Sequence, residues 1–192
     1  MSMKGFVREH PAFSLCGLNC ALCGLHLGGH CPGCGGGEGN QSCALARCGM
    51  AHGVAYCTDC PLYPCARYEG ADEEDNSFIS TMHRRQDLSR MAAVGETAYL
   101  EQLSERAEVY RALEARYNDG RRKTLFRQAV NLLPLEDVRA LLPALEAEVR
   151  ADEDVKSRAA RAAACIAKRA EQQGISLKTR KKPAQPSPTP EE

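Results

Sequence analysis

The chain has 192 residues, with 25 basic and 25 acidic side chains and no tryptophan. This length suits one ordinary domain, or a small module followed by a helical one. The balanced charge excludes a field strong enough to recruit nucleic acid or a membrane surface, and no apolar run reaches the roughly 18 residues that span a bilayer. Because the amino-terminal segment lacks the apolar stretch of a signal peptide, we expect a cytoplasmic protein.

Residues 1–70 hold ten of the eleven cysteines and 13 of the 16 glycines. Their apolar residues follow neither a helical nor a strand period, and glycine raises the entropy cost of ordering the loops. A domain this small is marginally stable even with a good core, so something other than apolar burial must hold it together. Free thiols crowded in a reducing compartment are usually bound to metal. We therefore predict a small, loop-rich, metal-stabilised module over residues 1–70.

The predicted metal ligands are its ten cysteines: Cys16, Cys20, Cys23, Cys31, Cys34, Cys43, Cys48, Cys57, Cys60 and Cys65. Three steps in this series join cysteines separated by two residues, a spacing that can turn both thiolates onto one tetrahedral ion. In Cys31-Pro32-Gly33-Cys34 the proline and glycine supply the turn, which is typical of a zinc knuckle. The expected cofactor is zinc, about two ions. The alternative is a 4Fe-4S cluster, because four thiolates hold either kind of centre.

The grouping of the ligands stays open, since ten cysteines do not divide evenly by four. The most local grouping puts Cys31, Cys34, Cys43 and Cys48 on one ion and leaves the other six for a second site. A histidine could replace a thiolate, and the candidates are His10, His26, His30 and His52, with His30 and His52 the best placed. The triplet Cys16, Cys20 and Cys23 also has the spacing of radical S-adenosylmethionine enzymes, but the chain is too short for their barrel.

An acidic linker over residues 71–77 separates this module from a helical region over residues 78–175. The first apolar stripe is Tyr99, Leu103, Tyr110, Leu113 and Tyr117, and Asn118-Asp119-Gly120 then indicates a helix stop. A second stripe is Leu125, Phe126, Ala129, Val130 and Leu133.

The next helix is expected to have Pro134 at its first position and a kink or break at Pro143. An alanine-rich helix should run from about Asp152 to Gln173 and stop at Gly174, with Cys165 as a packing residue. The basic and proline-rich composition of residues 176–192 predicts a disordered tail. The fold class is thus a zinc-knuckle-like module followed by an all-α region, with little or no β-sheet.

Five stretches of the chain carry a resemblance to a known family: CGLNCALC at 16–23, CPGC at 31–34, CTDCPLYPC at 57–65, YNDGR at 117–121 and NLLP at 131–134. Their order resembles the bacterial and archaeal cysteine-rich family called domain of unknown function 3795. The resemblance covers residues 13–70 and 80–135. It implies a zinc-binding protein without a defined activity, and it supports the ligand assignment.

These features predict a cytoplasmic metal-binding protein whose cysteine-rich module is a structural or interaction platform, with another protein as its partner. The alternative is an iron–sulfur protein in electron transfer or redox sensing. An enzyme with an open catalytic metal site is least favoured, because the sequence has no phosphate loop, dinucleotide fingerprint or nucleophile elbow. No catalytic residue is assigned, and neither a membrane nor nucleic acid is an expected partner.

Overall fold

The computed structural model describes residues 5–38, 43–69, 78–150 and 154–179. Within these ranges the chain forms eight α-helices and no strand, and an isolated bridge pairs Val7 with Gly36. The predicted helical class with little or no β-sheet is confirmed. The predicted acidic linker and residues 180–192 of the predicted tail lie outside the described residues.

The amino-terminal part contains three helices joined by loops: α1 (Gly24–Leu27), α2 (Ala44–His52) and α3 (Ala66–Glu69). It also contains two 3₁₀ turns: Cys20–Leu22 precedes α1, and Cys57–Asp59 lies between α2 and α3. The longest element, α2, begins after Cys43, whose side chain accepts a hydrogen bond from the Ala46 backbone amide at 3.2 Å. It ends at Gly53 in the left-handed conformation, a usual helix stop. The sequence pattern did not indicate this helix.

The carboxy-terminal part consists of five further helices: α4 (Arg84–Val94), α5 (Glu96–Tyr117), α6 (Lys123–Leu132), α7 (Leu135–Glu148) and α8 (Val155–Gln172). The predicted stripe of α5 is confirmed, because all five of its apolar residues are buried. The predicted stop is also confirmed. Asn118 follows the last helical residue, and its side-chain oxygen accepts a hydrogen bond from the Gly120 amide at 3.0 Å.

The two prolines of α7 lie differently from the expectation. Pro134 precedes the first helical residue, and its carbonyl accepts the amide of Val138 at 3.0 Å. Pro143 does not divide the helix, which continues to Glu148. Its ring is on the exposed side, where the carbonyl it leaves without an amide partner can be hydrated. Helix α8 begins later than predicted because Asp154 caps it, accepting the amides of Lys156 and Ser157.

One apolar core joins the amino-terminal part to the helices. Phe13 and Leu15 are fully buried in it, and the ring of Phe13 lies 4.7 Å from that of Tyr99 on α5. Leu22, in the first 3₁₀ turn, is also buried. The loops that carry the cysteines are therefore packed on the helices. Among the described helices, none is long and apolar enough to cross a membrane.

Candidate metal centre

The ten predicted cysteines line two cavities in the amino-terminal part. The larger, which we call the six-cysteine cavity, measures about 160 Å³. Its cysteines are Cys16, Cys20, Cys23, Cys31, Cys34 and Cys43. The smaller, the four-cysteine cavity, measures about 30 Å³ and is lined by Cys48, Cys57, Cys60 and Cys65. All ten are free thiols. The structure thus brings together cysteines up to 27 positions apart in the sequence.

Helix α2 separates the two cavities. Leu45, Cys48, Gly49 and His52, spaced three and four residues apart, face the four-cysteine cavity. Ala46 and the capping residue Cys43 face the six-cysteine cavity. Five residues correspond to about 140° of rotation beyond one full turn of an α-helix, so Cys43 and Cys48 point to different sides.

This arrangement differs from the grouping expected from the sequence. Cys48 does not line a cavity with Cys31, Cys34 and Cys43, although it is close to them in the chain. Cys16, Cys20 and Cys23 line the same cavity as Cys31 and Cys34. Cys57, Cys60 and Cys65 line the other cavity. The physical reason is α2, which turns the two halves of the series away from each other.

Cys16 is the most buried of the cysteines and lines the six-cysteine cavity. Its sulfur is 3.1 Å from the Ser14 hydroxyl and 3.7 Å from a guanidinium nitrogen of Arg84, which donates to it. Its backbone carbonyl accepts the hydroxyl of Tyr68 at 2.9 Å. Cys16 is thus held in place before any ion binds.

Two glycines allow the cysteine loops to approach neighbouring backbone. Gly17 has φ of 89°, and a Cβ there would clash with the carbonyl of Arg84. Gly33, between Cys31 and Cys34, has φ of 97°, and a Cβ there would clash with the carbonyl of Pro11. Both conformations favour glycine. The amide of Cys34 then donates to the Pro11 carbonyl at 2.9 Å, which anchors the predicted knuckle turn.

Burial keeps several of these thiols in the neutral form. It raises the pKa of Cys34 to about 11 and the pKa of Cys57 to about 12. The pKa of Cys20 is also raised, first by burial and then by the like charges of Cys34, Cys16 and Cys23. Several thiolates in one cavity repel one another. They can be present together only when a bound cation neutralises part of their charge.

The structure places two of the four candidate histidines, His26 and His52, at the cavities. His52 lines the four-cysteine cavity, where its Nδ1 lies 3.7 Å from the sulfur of Cys48. His26 lines the six-cysteine cavity, with its Nδ1 2.9 Å from the carbonyl oxygen of Cys31. His30 is exposed and is not among the residues lining either cavity. Cys165, on α8, packs against the core as predicted.

A buried polar network next to the first cysteine loop was missed from the sequence. The Asn19 amide donates to the carboxylate of Asp87 at 3.0 Å and to the side-chain oxygen of Asn131 at 2.9 Å. The hydroxyl of Tyr99 donates to the Asn19 oxygen at 2.9 Å. Asn19 directly precedes Cys20, so this network fixes the cysteine loop to α4, α5 and α6. No local pattern could have revealed partners 68 to 112 residues away.

As they stand, no three His, Cys, Asp or Glu side chains in the described part of the chain are grouped closely enough to hold a metal ion. Ligation therefore requires the cysteine side chains around a cavity to converge. No model of a known protein family matches the chain, and neither the curated proteins nor the solved structures searched contain a match.

Proposed function

We propose that this chain is a cytoplasmic zinc-binding protein without catalytic activity, in which the cysteine-rich part is a structural or interaction platform. The observation that carries the proposal is the gathering of ten cysteines, from several separate segments, around two adjacent cavities.

The donor set fits zinc. Thiolates are soft ligands that select zinc, copper(I) and iron–sulfur clusters over calcium or magnesium, and each cavity offers at least the four donors that a closed zinc site needs. When bound, zinc supplies a cross-link without redox chemistry. The chain supplies the positions of its cysteines: Gly17 and Gly33 allow the loops to dock, and Asn19 fixes the first loop to the helices. We propose at least one ion for each cavity.

A protein partner suits this platform better than nucleic acid, because the chain carries no net charge. The surface next to α2 offers apolar contact, since Val7 and Met50 are 78% and 46% exposed. Both residues line a groove of about 400 Å³ that also contains Arg8 and Glu9. A mixed apolar and charged groove is the kind of surface that transient protein interfaces use.

Two observations favour an iron–sulfur centre as the second candidate. The six-cysteine cavity has more donors than one zinc ion uses, and Arg84 donates a hydrogen bond to the sulfur of Cys16. Hydrogen bonds to ligand sulfurs are one of the means by which proteins adjust the potential of iron–sulfur clusters. In that case the protein would act in electron transfer or redox sensing.

Metal analysis with an absorption spectrum, on full-length protein purified without oxygen, distinguishes these functions. We expect stoichiometric zinc and a colourless solution that does not change on mild oxidation and reduction. The Cys60→Ser and Cys23→Ser variants should each lose zinc, whereas Cys165→Ser, outside both cavities, should retain all of it. Iron with acid-labile sulfide and a brown colour would replace the zinc proposal by the iron–sulfur one. Protein isolated without any transition metal would overturn both.

A further inference from the structure

We infer that the chain binds three zinc ions, two of them as a thiolate-bridged pair in the six-cysteine cavity and one alone in the four-cysteine cavity. This inference rests on the proposed zinc-binding function and specifies how the sites are occupied. It concerns the division of the ten cysteines into groups of six and four, which the sequence did not predict.

The number of donors leads to the bridged pair. A closed zinc site is tetrahedral and uses four ligands, which matches the four cysteines of the smaller cavity. Two tetrahedral ions have eight coordination positions. Six thiolates fill all eight only if two of the thiolates are shared between the ions. A single four-coordinate ion in the larger cavity would leave two of its thiols without a role.

The sizes of the cavities agree with this count. A water-sized sphere occupies about 10–15 Å³ of such space. The four-cysteine cavity, at about 30 Å³, has room for one ion as its side chains converge. The six-cysteine cavity, at about 160 Å³, is roughly five times as large, so its volume does not limit it to one ion.

Cys16 has the position that a bridging thiolate needs. It is buried, its sulfur accepts a hydrogen bond from Arg84, and it lines the cavity together with Cys20, Cys34 and Cys43, which belong to three different segments. A buried thiolate that shares its cavity with cysteines of several segments can reach two ions. We therefore assign Cys16 as one of the two shared ligands.

Two arginines offset the charge of such a centre. Two Zn²⁺ ions with six thiolates carry a net charge of two negative units. Arg84 lies 3.7 Å from the sulfur of Cys16, and Arg8 donates to the carbonyl of Cys34 at 3.5 Å. A buried negative centre needs compensation of this kind, because desolvation penalises uncompensated charge.

The test uses the full-length chain, with zinc counted by elemental analysis and native mass spectrometry, and then replaced by an NMR-active cadmium isotope. We expect three ions per chain and three cadmium resonances, two of which are coupled to each other through a shared sulfur. Cys60→Ser should remove only the uncoupled resonance. Cys23→Ser should alter both coupled resonances and leave the third unchanged, and Cys165→Ser should leave all three as they are.

Two ions without cadmium–cadmium coupling would overturn the pair and leave the zinc-binding function standing. Loss of the same resonance in Cys60→Ser and Cys23→Ser would also overturn it, because the two cavities would then not be separate sites. Iron and sulfide in the larger cavity would replace the pair by a cluster. Absence of any bound metal would overturn both the pair and the proposed function.

Discussion

Gly17 illustrates how one residue positions the candidate site. It follows Cys16 with φ of 89° and places the loop directly against the Arg84 carbonyl at the start of α4. The same arginine donates to the sulfur of Cys16. A side chain at position 17 would therefore push the most buried cysteine away from its partner.

The Gly17→Ala variant should lower the free energy of unfolding by about 3 kcal/mol, the sum of backbone strain and a steric clash. Gly120→Ala is the matched control, because Gly120 has φ of 90° and no atom within 4 Å of an added Cβ. It should cost only the backbone strain, about 1–2 kcal/mol. Urea unfolding of both variants measures the difference. Equal losses would show that the approach to Arg84 does not matter.

Asp87 is the titrating group of the buried network around Asn19, and its pKa makes the stability of the protein depend on pH. Burial raises its pKa from 3.8 to about 6, while hydrogen bonds from Tyr99 and Asn19 and the charge of Arg106 lower it in part. The folded protein therefore holds this proton more tightly than the unfolded chain does. Its contribution to stability is complete below pH 3.8 and is lost as the pH rises towards 6.

We expect the Asp87→Asn variant, which keeps an acceptor oxygen but cannot ionise, to gain stability over the wild type as the pH rises from 3.8 to 6. The gain should level off at about 3 kcal/mol near pH 7. The measured quantity is the difference in unfolding free energy between the two proteins at each pH, which cancels pH effects from other groups. A difference independent of pH would contradict the assignment.

At the scale of the elements, Arg106 joins two helices. It lies on α5, is 8% exposed, and donates to the carbonyls of Val130 and Leu133 at 2.6 and 2.9 Å. The last four carbonyls of a helix have no partner within the helix. Arg106 supplies partners at the end of α6, just before the turn into α7.

Replacing Arg106 by methionine should lower the unfolding free energy by about 2–4 kcal/mol, because buried carbonyls lose their hydrogen bonds. Arg139→Met is the comparison, since Arg139 on α7 pairs with Glu105 at 2.7 Å but is 57% exposed. That pair is exposed to solvent, so its loss should change the unfolding free energy much less than the loss of Arg106. Thermal or urea unfolding checks both. Similar losses in the two variants would rule out the capping role of Arg106.

The sequence predicted the elements whose information is local. The stripe from Tyr99 to Tyr117 repeats at helical spacing, so α5 and its end at Asn118 could be found without the structure. Helix α2 could not, because it depends on a cysteine cap and on packing against Leu15 at Gly49. The same helix places Cys48 at a different cavity from Cys31, Cys34 and Cys43. The closeness of the cysteines in the chain predicted that they are metal ligands. It did not predict which of them face the same cavity.

At the scale of the whole molecule, the cysteine loops and the helices share one core. Phe13 and Leu22 are buried among helical residues, and the Asn19 network crosses the same boundary. The predicted module therefore does not rely on metal alone: its loops are attached at one side by apolar packing. This apolar packing does not stabilise the opposite side of the loops, where the cysteines face the cavities.

Metal removal should therefore loosen the cysteine loops and leave the helical part folded. After exhaustive chelation of the full-length protein, backbone amides in residues 23–34 and 43–65 should lose protection from hydrogen exchange. Amides of α5, α6 and α7 should keep theirs, because Leu113, Phe126 and Leu141 are fully buried and these three helices contain no cysteine. Hydrogen exchange followed by mass spectrometry, before and after chelation, measures both regions at once. Restoring zinc should restore the loop protection, and loops that stay fully protected without metal would show that packing alone holds them.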